Sequence, residues 1–326
     1  MAHELTMTNG RAEMAYTGRT PWHGLGQKLE PGAPIEEWLR SAGMEWEIRR
    51  AFVRFATERG QETNLNQMPD RVVLFRSDNK DALSVVSDGY KPVQPREVIE
   101  FFRDLVGTGG FTLSTAGTLF GGRRFWALAA IADNFTLPGG DTMTGNLLLA
   151  TSCDGTMNTV AKVVATRVVC NNTLSVARGE HSKHVVKVRH VSRFDAQAVK
   201  QQLGIAADQF AKFRADAEAL TALKVAPGEA RVFLADIFKT AQSETSSRDV
   251  TNSAPYQRAC DLLDFGQGAR MESARGTAWG VLNAVTEYVD HYARAKTPGH
   301  RLSSAWLGAG DDLKNAAADY LLALTA

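Results

Sequence analysis

The dipeptide Gly121-Gly122, set between two β-type runs, constrains this chain more than any other feature. Thr112 to Phe120 and Arg123 to Ile131 flank it, and both glycines can take the positive φ that a tight hairpin turn requires. A two-residue turn there sets Phe120 opposite Arg123 and Leu119 opposite Arg124. A second strand pair is predicted at Asn146 to Ser152 and Thr159 to Val169, around Asp154-Gly155. Cys170 to Ala177 predicts a short helix capped by Asn171 or Asn172. His184 to Val191 alternates, with Lys187 and Arg189 on one face and Val186 and Val188 on the other.

The remainder of the chain sorts around this centre. The opening segment lacks any period but carries Tyr16, Trp22 and His23 around Pro21, Gly24 and Gly26, which makes it either a packed extended arm or a binding loop. A short helix starts at Pro34 and ends at Gly43. Trp46 to Phe55, Arg71 to Arg76 and Ala82 to Val86 read as an antiparallel sheet edge or hairpin. Pro95 starts a helix facing inward through Val98, Ile99, Phe102, Leu105 and Val106. From Asp195 the pattern turns helical, with a heptad-like stripe from Val199 through Phe210 and Phe213 to Leu220 that suits either internal packing or an oligomer contact. Helices are expected at Glu229 to Gln242, Ser273 to Lys296 and Asp311 to the end, with a polar loop after the first of them. The expected fold is α+β: an antiparallel β-rich core with a β-β-β-α-like unit, followed by a helical C-terminal part. The implied division is an N-terminal arm and short helix over 1–43, a β-rich core over 44–191 and a helical region over 192–326.

Composition bears on partners only through placement. Lys and Arg (37) nearly balance Asp and Glu (36), and 44% apolar residues over 326 positions supply ample core. Between Ala161 and Lys200, however, stand Lys162, Arg167, Arg178, Lys183, Lys187, Arg189 and Arg193, with His181, His184 and His190, against Glu180 and Asp195. Such an excess is the footprint expected of a phosphate-binding surface, and a solvated face paired with acidic helices is the alternative. Arg123 and Arg124 add cations beside Phe125 and Trp126, where aromatic rings either stack bases or join the core. The candidate nucleic-acid contacts are therefore Arg123, Arg124, Lys162, Arg167, Arg178, Lys183, Lys187 and Arg189.

Catalytic signals are missing. There is no GxSxG, HExxH, Walker loop or GxGxxG, and Asp311-Asp312 heads a helix whose dipole explains it. Cys153, Cys170 and Cys260 show no zinc spacing; Cys153 and Cys170 sit in apolar runs as buried small hydrophobes. No cofactor or metal is expected, and the chain reads as a non-enzyme. Nowhere do about eighteen consecutive apolar residues occur, the length that suggests a membrane span. The expectation is a cytoplasmic protein with no membrane partner.

Five stretches carry a resemblance: TPWHGLGQKL at Thr20 to Leu29, SDGYKPVQPREVIEFF at Ser87 to Phe102, GTLFGGRRFWALAAI at Gly117 to Ile131, TRVVCNNTLSVA at Thr166 to Ala177 and GTAWGVLNAVTEYVDH at Gly276 to His291. Together they resemble the phage/plasmid-like family called domain of unknown function 932, over nearly the whole chain. Membership implies carriage on phages and conjugative plasmids, and hence a role in DNA maintenance or recombination. The order hairpin, strand, helix is also similar, at the level of fold alone, to the ring-forming single-strand annealing proteins, the Rad-type mediators and phage Red-beta and RecT. These resemblances imply a non-catalytic protein that binds single-stranded DNA and anneals complementary strands as a homo-oligomer, in a ring or filament. The alternative is a phage or plasmid module that binds and inhibits a host defence or recombination enzyme.

Overall fold

The computed structural model describes residues 5–18, 24–57, 65–107, 111–167, 172–175, 185–190, 192–203, 206–240, 249–296 and 298–325. In chain order the strands and first helices are β1 (Met7–Thr8), β2 (Arg11–Ala12), β3 (Met14–Thr17), β4 (Gln27–Leu29), α1 (Ile35–Ser41), β5 (Ile48–Phe55), β6 (Asn66–Arg76), β7 (Ala82–Ser87), α2 (Pro95–Glu100) and α3 (Arg103–Gly107). The central strands follow as β8 (Phe111–Leu119), β9 (Arg124–Leu137), β10 (Asp141–Ser152), β11 (Thr159–Arg167), β12 (Asn172–Ser175) and β13 (Val185–Val188). Helices α4 (Ala196–Leu203), α5 (Ala206–Ala222), α6 (Pro227–Thr240), α7 (Ala254–Phe265), α8 (Ala278–Glu287), α9 (Pro298–Leu307) and α10 (Ala309–Ala323) complete the chain. This is the expected α+β architecture, with antiparallel sheets first and helices in the C-terminal part.

The large sheet runs β12-β11-β10-β9-β8-β3-β4, and β13 also pairs with β11. Every ladder in it is antiparallel except β3 with β4. A separate sheet holds β5-β6-β7. The β8–β9 hairpin has the predicted Leu119–Arg124 pairing but a wider loop. Phe120, Gly121 and Gly122 all take positive φ, at 56°, 71° and 91°, so the left-handed path starts one residue before the glycines. The segment expected to form a helix near Cys170 corresponds, over its described residues Asn172–Ser175, to strand β12. The β11 edge explains this: Val164 to Arg167 have open backbone groups there, and β12 satisfies them. Asn171, Cys170 and the loop at Trp22-His23 lie outside the described residues. The expected N-terminal arm supplies β3, a full member of the sheet against β8.

Both faces of the sheet are covered, which is why β10 and β11 are buried almost without a break although polar residues are interspersed along them. Along β9, Phe125, Ala127 and Ala129 enter the main core, while Trp126 faces the smaller one. Trp126 is thus a core residue, edge-on to Trp306 of α9 at 6.4 Å between centroids. Burying a ring such as Phe125 stabilises the fold by roughly 1.5–3 kcal/mol. Val199, Phe210, Phe213, Ala217 and Leu220, the heptad-like stripe, belong to the main core of this same chain. Phe135 of β9, Phe210 and Phe213 of α5 and Trp279 of α8 form a connected run of rings linking sheet to helices.

Candidate nucleic-acid interface

The turns at one end of the large sheet gather the exposed cations. The β8–β9 loop presents Arg123, exposed, and Arg124, half-buried. Arg124 donates to Thr156 Oγ1 (2.9 Å) on the β10–β11 turn, and its guanidinium lies over the Phe120 ring at 5.1 Å. That turn is built locally: Asp154 accepts from the Thr156 backbone N–H and hydroxyl, and Ser152 Oγ bonds both ways with Met157. Strand β13 arrives beside it because Val188 pairs with Thr159 and Lys187 with Val160. Lys187 and Arg189 are both exposed. His190 then locks the join: one ring nitrogen meets the Met157 carbonyl at 3.0 Å, the other the Lys91 carbonyl at 3.2 Å. The Tyr90 ring stacks on it at 4.6 Å, and Tyr90 Oη donates to the Ser152 carbonyl.

Lys91, exposed after β7, therefore belongs to the same end as Arg123, Lys187 and Arg189. Sequence reading missed it because only the His190 contact brings residue 91 to β13. The local carboxylates are Asp154, held in its own turn, and Asp88, which pairs with Arg50 at 2.8 Å. Cys153 lies just beneath, fully buried, with burial pushing its thiol up to about 12; it is a packing group and not a thiolate nucleophile.

Two predicted contacts face elsewhere. Arg167 is 1% exposed and grips Asp141 through Nε (2.8 Å) and a terminal nitrogen (2.8 Å). Asp141, fully buried, also accepts from Ser273 Oγ (2.6 Å) and Trp279 Nε1 (3.1 Å), so the pair fastens sheet to helices. Lys162 is likewise buried on β11 and donates to Asp311 of α10 at 2.7 Å. Burial pulls the Lys162 ammonium below its ordinary pKa, against the pull of Asp311. Nearby, Lys314 of α10 bonds Asp290 at 2.8 Å in the π-helical turn Tyr288–Tyr292. Lys162 and Arg167 are thus internal ties, inaccessible to a phosphate chain. Arg178 and Lys183 lie outside the described residues. Among the described residues no three His, Cys, Asp or Glu side chains converge as metal ligands would, and no helix is long and apolar enough to cross a membrane.

The family model described as Domain of unknown function (DUF932) matches residues 82–306, from the start of β7 into α9. The chain belongs to the DUF932 family. The matched span contains the whole turn-end cluster and both buried ion pairs of β11 except the Asp311 side, and leaves out β5 and β6. No curated protein and no solved structure matches the chain.

Proposed function

We propose that this DUF932 protein binds single-stranded DNA through its backbone, without strong sequence preference, and promotes annealing of complementary strands. The observation that supports this reading is the collection of Arg123, Lys91, Lys187 and Arg189 at one end of the sheet, carried on three turns and a strand that cross-brace one another. Cations on rigid elements track phosphates at little ordering cost, and such binding is steeply salt-dependent because counterions are released. Bases left outward can pair with a second strand, and the mechanism requires no cofactor. Side-by-side copies of the chain, in a ring or filament, would align successive sites along one DNA strand.

The test is a titration of labelled oligothymidylate and duplex across a salt series, with a Lys187→Ala/Arg189→Ala variant beside the wild type. The expected result is preference for the single strand and, for the variant, a salt slope shallower by about 0.7 per cation removed. Absent binding, or a variant with unchanged affinity and slope, rejects the reading. Capture of a host enzyme from nuclease-treated lysate, with no DNA affinity, would favour the inhibitor alternative instead.

A further inference from the structure

We infer that the outer edge of β5 is a docking site for an extended, acidic peptide segment of another protein, which adds a strand to the β5-β6-β7 sheet. This goes beyond the DNA reading and uses a different surface. Strand β5 ends that sheet and pairs with β6 on one side. Along an antiparallel ladder, opposite residues alternate between pairs that exchange both backbone bonds and pairs whose N–H and C=O point outward. Glu47 accepts from the Ser77 N–H across the ladder. Ile48, opposite Arg76, sends both backbone groups outward to the Gln94 side chain. Its N–H donates to Oε1 at 2.8 Å and its C=O accepts from Nε2 at 3.3 Å. By the same alternation Arg50, opposite Leu74, and Phe52, opposite Val72, present their N–H and C=O on that outer edge. Among the described residues no group bonds to these four.

Gln94 shows what the edge accepts: its amide takes the place of one residue of a neighbouring strand and satisfies donor and acceptor together. Beyond it the edge runs on into solvent, with Ala51, Phe52, Arg54 and Phe55 exposed. A peptide added there gains main-chain hydrogen bonds from the edge and selectivity from the side chains beside it. Charge decides the occupant. Strand β5 carries Arg49, Arg50 and Arg54 with no carboxylate. Arg50 turns to Asp88 and Arg49 meets Glu47 between exposed groups, whereas Arg54 has no ion-pair partner among the described residues. A second copy of β5 laid along this edge would set arginines against arginines, a device by which edge strands avoid pairing with themselves. The charges that exclude a copy select an acidic strand.

The probe is a labelled peptide of alternating Glu and Val, about ten residues long so as to run the length of β5. It is titrated by anisotropy against wild type, Phe52→Pro and Arg49→Glu/Arg54→Glu, beside its Lys-Val counterpart. In wild type the Glu-Val peptide should bind and slow hydrogen exchange at the Arg50 and Phe52 amides, read by NMR. Proline at 52 removes an outward N–H and no bond to β6, so that variant should keep the wild-type circular dichroism. It should bind the peptide roughly tenfold more weakly. Reversing the two charges should cost at least roughly fivefold and turn the preference toward the Lys-Val peptide. A wild type that does not bind the acidic peptide, or binds it without slowing those amides, overturns the inference, and so does Phe52→Pro binding as wild type. Loss of oligothymidylate affinity instead of peptide affinity in the charge-reversed variant would give the edge to DNA. A light-scattering dimer that becomes a monomer in Phe52→Pro would give it to a second copy; either result also overturns the inference. The single-strand reading, tested at Lys187 and Arg189, stands or falls separately.

Discussion

At the residue scale, the decisive contrast is between cations that look alike in sequence. Lys162 and Arg167 sit on β11, Lys187 on its neighbour β13 and Arg189 just after it, yet the first two are inside and the last two outside. Strand alternation does not separate them: Lys162 shares a face with Val160 and Val164, and Lys187, paired with Val160, stands on that same face, so what takes Lys162 inside is its ion pair with Asp311 of α10. Its acidic partner Asp311 is 149 positions away, a pairing no local pattern reveals. Asp141→Ala should cost about 3–5 kcal/mol in urea unfolding, because it leaves the Arg167 cation buried without its partner. Lys162→Met should lower stability while leaving the salt slope of DNA binding untouched, the reverse of what a phosphate contact would do. Cys153, its thiol raised by burial, should resist alkylation at pH 8 until denaturant is added, as peptide mass mapping can show. Asp78 gives a pH prediction. Its hydrogen bond from Arg76 holds the carboxyl below the ordinary 3.8, so its contribution is complete above that value and is lost as pH falls through the lower folded-state one. Asp78→Asn should therefore flatten the stability curve below about pH 4; an unaltered acid limb would remove Asp78 from the account.

At the scale of elements, turns and helix starts were the readable parts. The Gly121-Gly122 signal located the hairpin and one of its two predicted residue pairings, since only glycine tolerates the close approach at 122, where an added Cβ would lie 2.8 Å from the Trp46 ring. Pro95 opens α2 as expected, and Gln94 with Glu97 completes a capping box there. The β12 segment defeated the same logic: Asn-Asn before a small apolar run is a good helix start, but the backbone demand of the β11 edge overrode it. The predicted helix from Ser273 was shortened for a related reason. Residues 273–277 form the turn that delivers Ser273 to Asp141, and α8 begins only at Ala278, with Thr277 capping Gly280. Gly280 tests this arrangement. In an open helix Gly→Ala gains up to about 1 kcal/mol, but a Cβ at 280 would stand 2.0 Å from the Ala274 carbonyl oxygen. Gly280→Ala should lower the melting temperature markedly, whereas Gly228→Ala in α6, with open space around it, should hold or raise it.

At the scale of the molecule, the core does not respect the division suggested at residue 191. One apolar cluster runs from Ala15 of β3 through the sheet to Leu321 of α10. The Asp141–Arg167–Ser273 network and the Lys162–Asp311 pair cross the same boundary. Chain cut after residue 191 should consequently fail to give a soluble β core, exposing Phe135, Lys162 and Asp141 at once; circular dichroism and gel filtration of the fragment would show it. Full-length protein should unfold in one transition followed equally by near- and far-ultraviolet signals. What the sequence by itself determined is the α+β class, the central hairpin, the burial of Cys153 and the helical C-terminal part, because alternation, turn chemistry and apolar period act over a few residues. Which cations reach solvent was left to the tertiary structure. Burial and pairing are settled by contacts that span 99 to 149 positions of the chain, and these bring Lys91 to the end of β13 and tie the Asp141 partner of Arg167 to the helices.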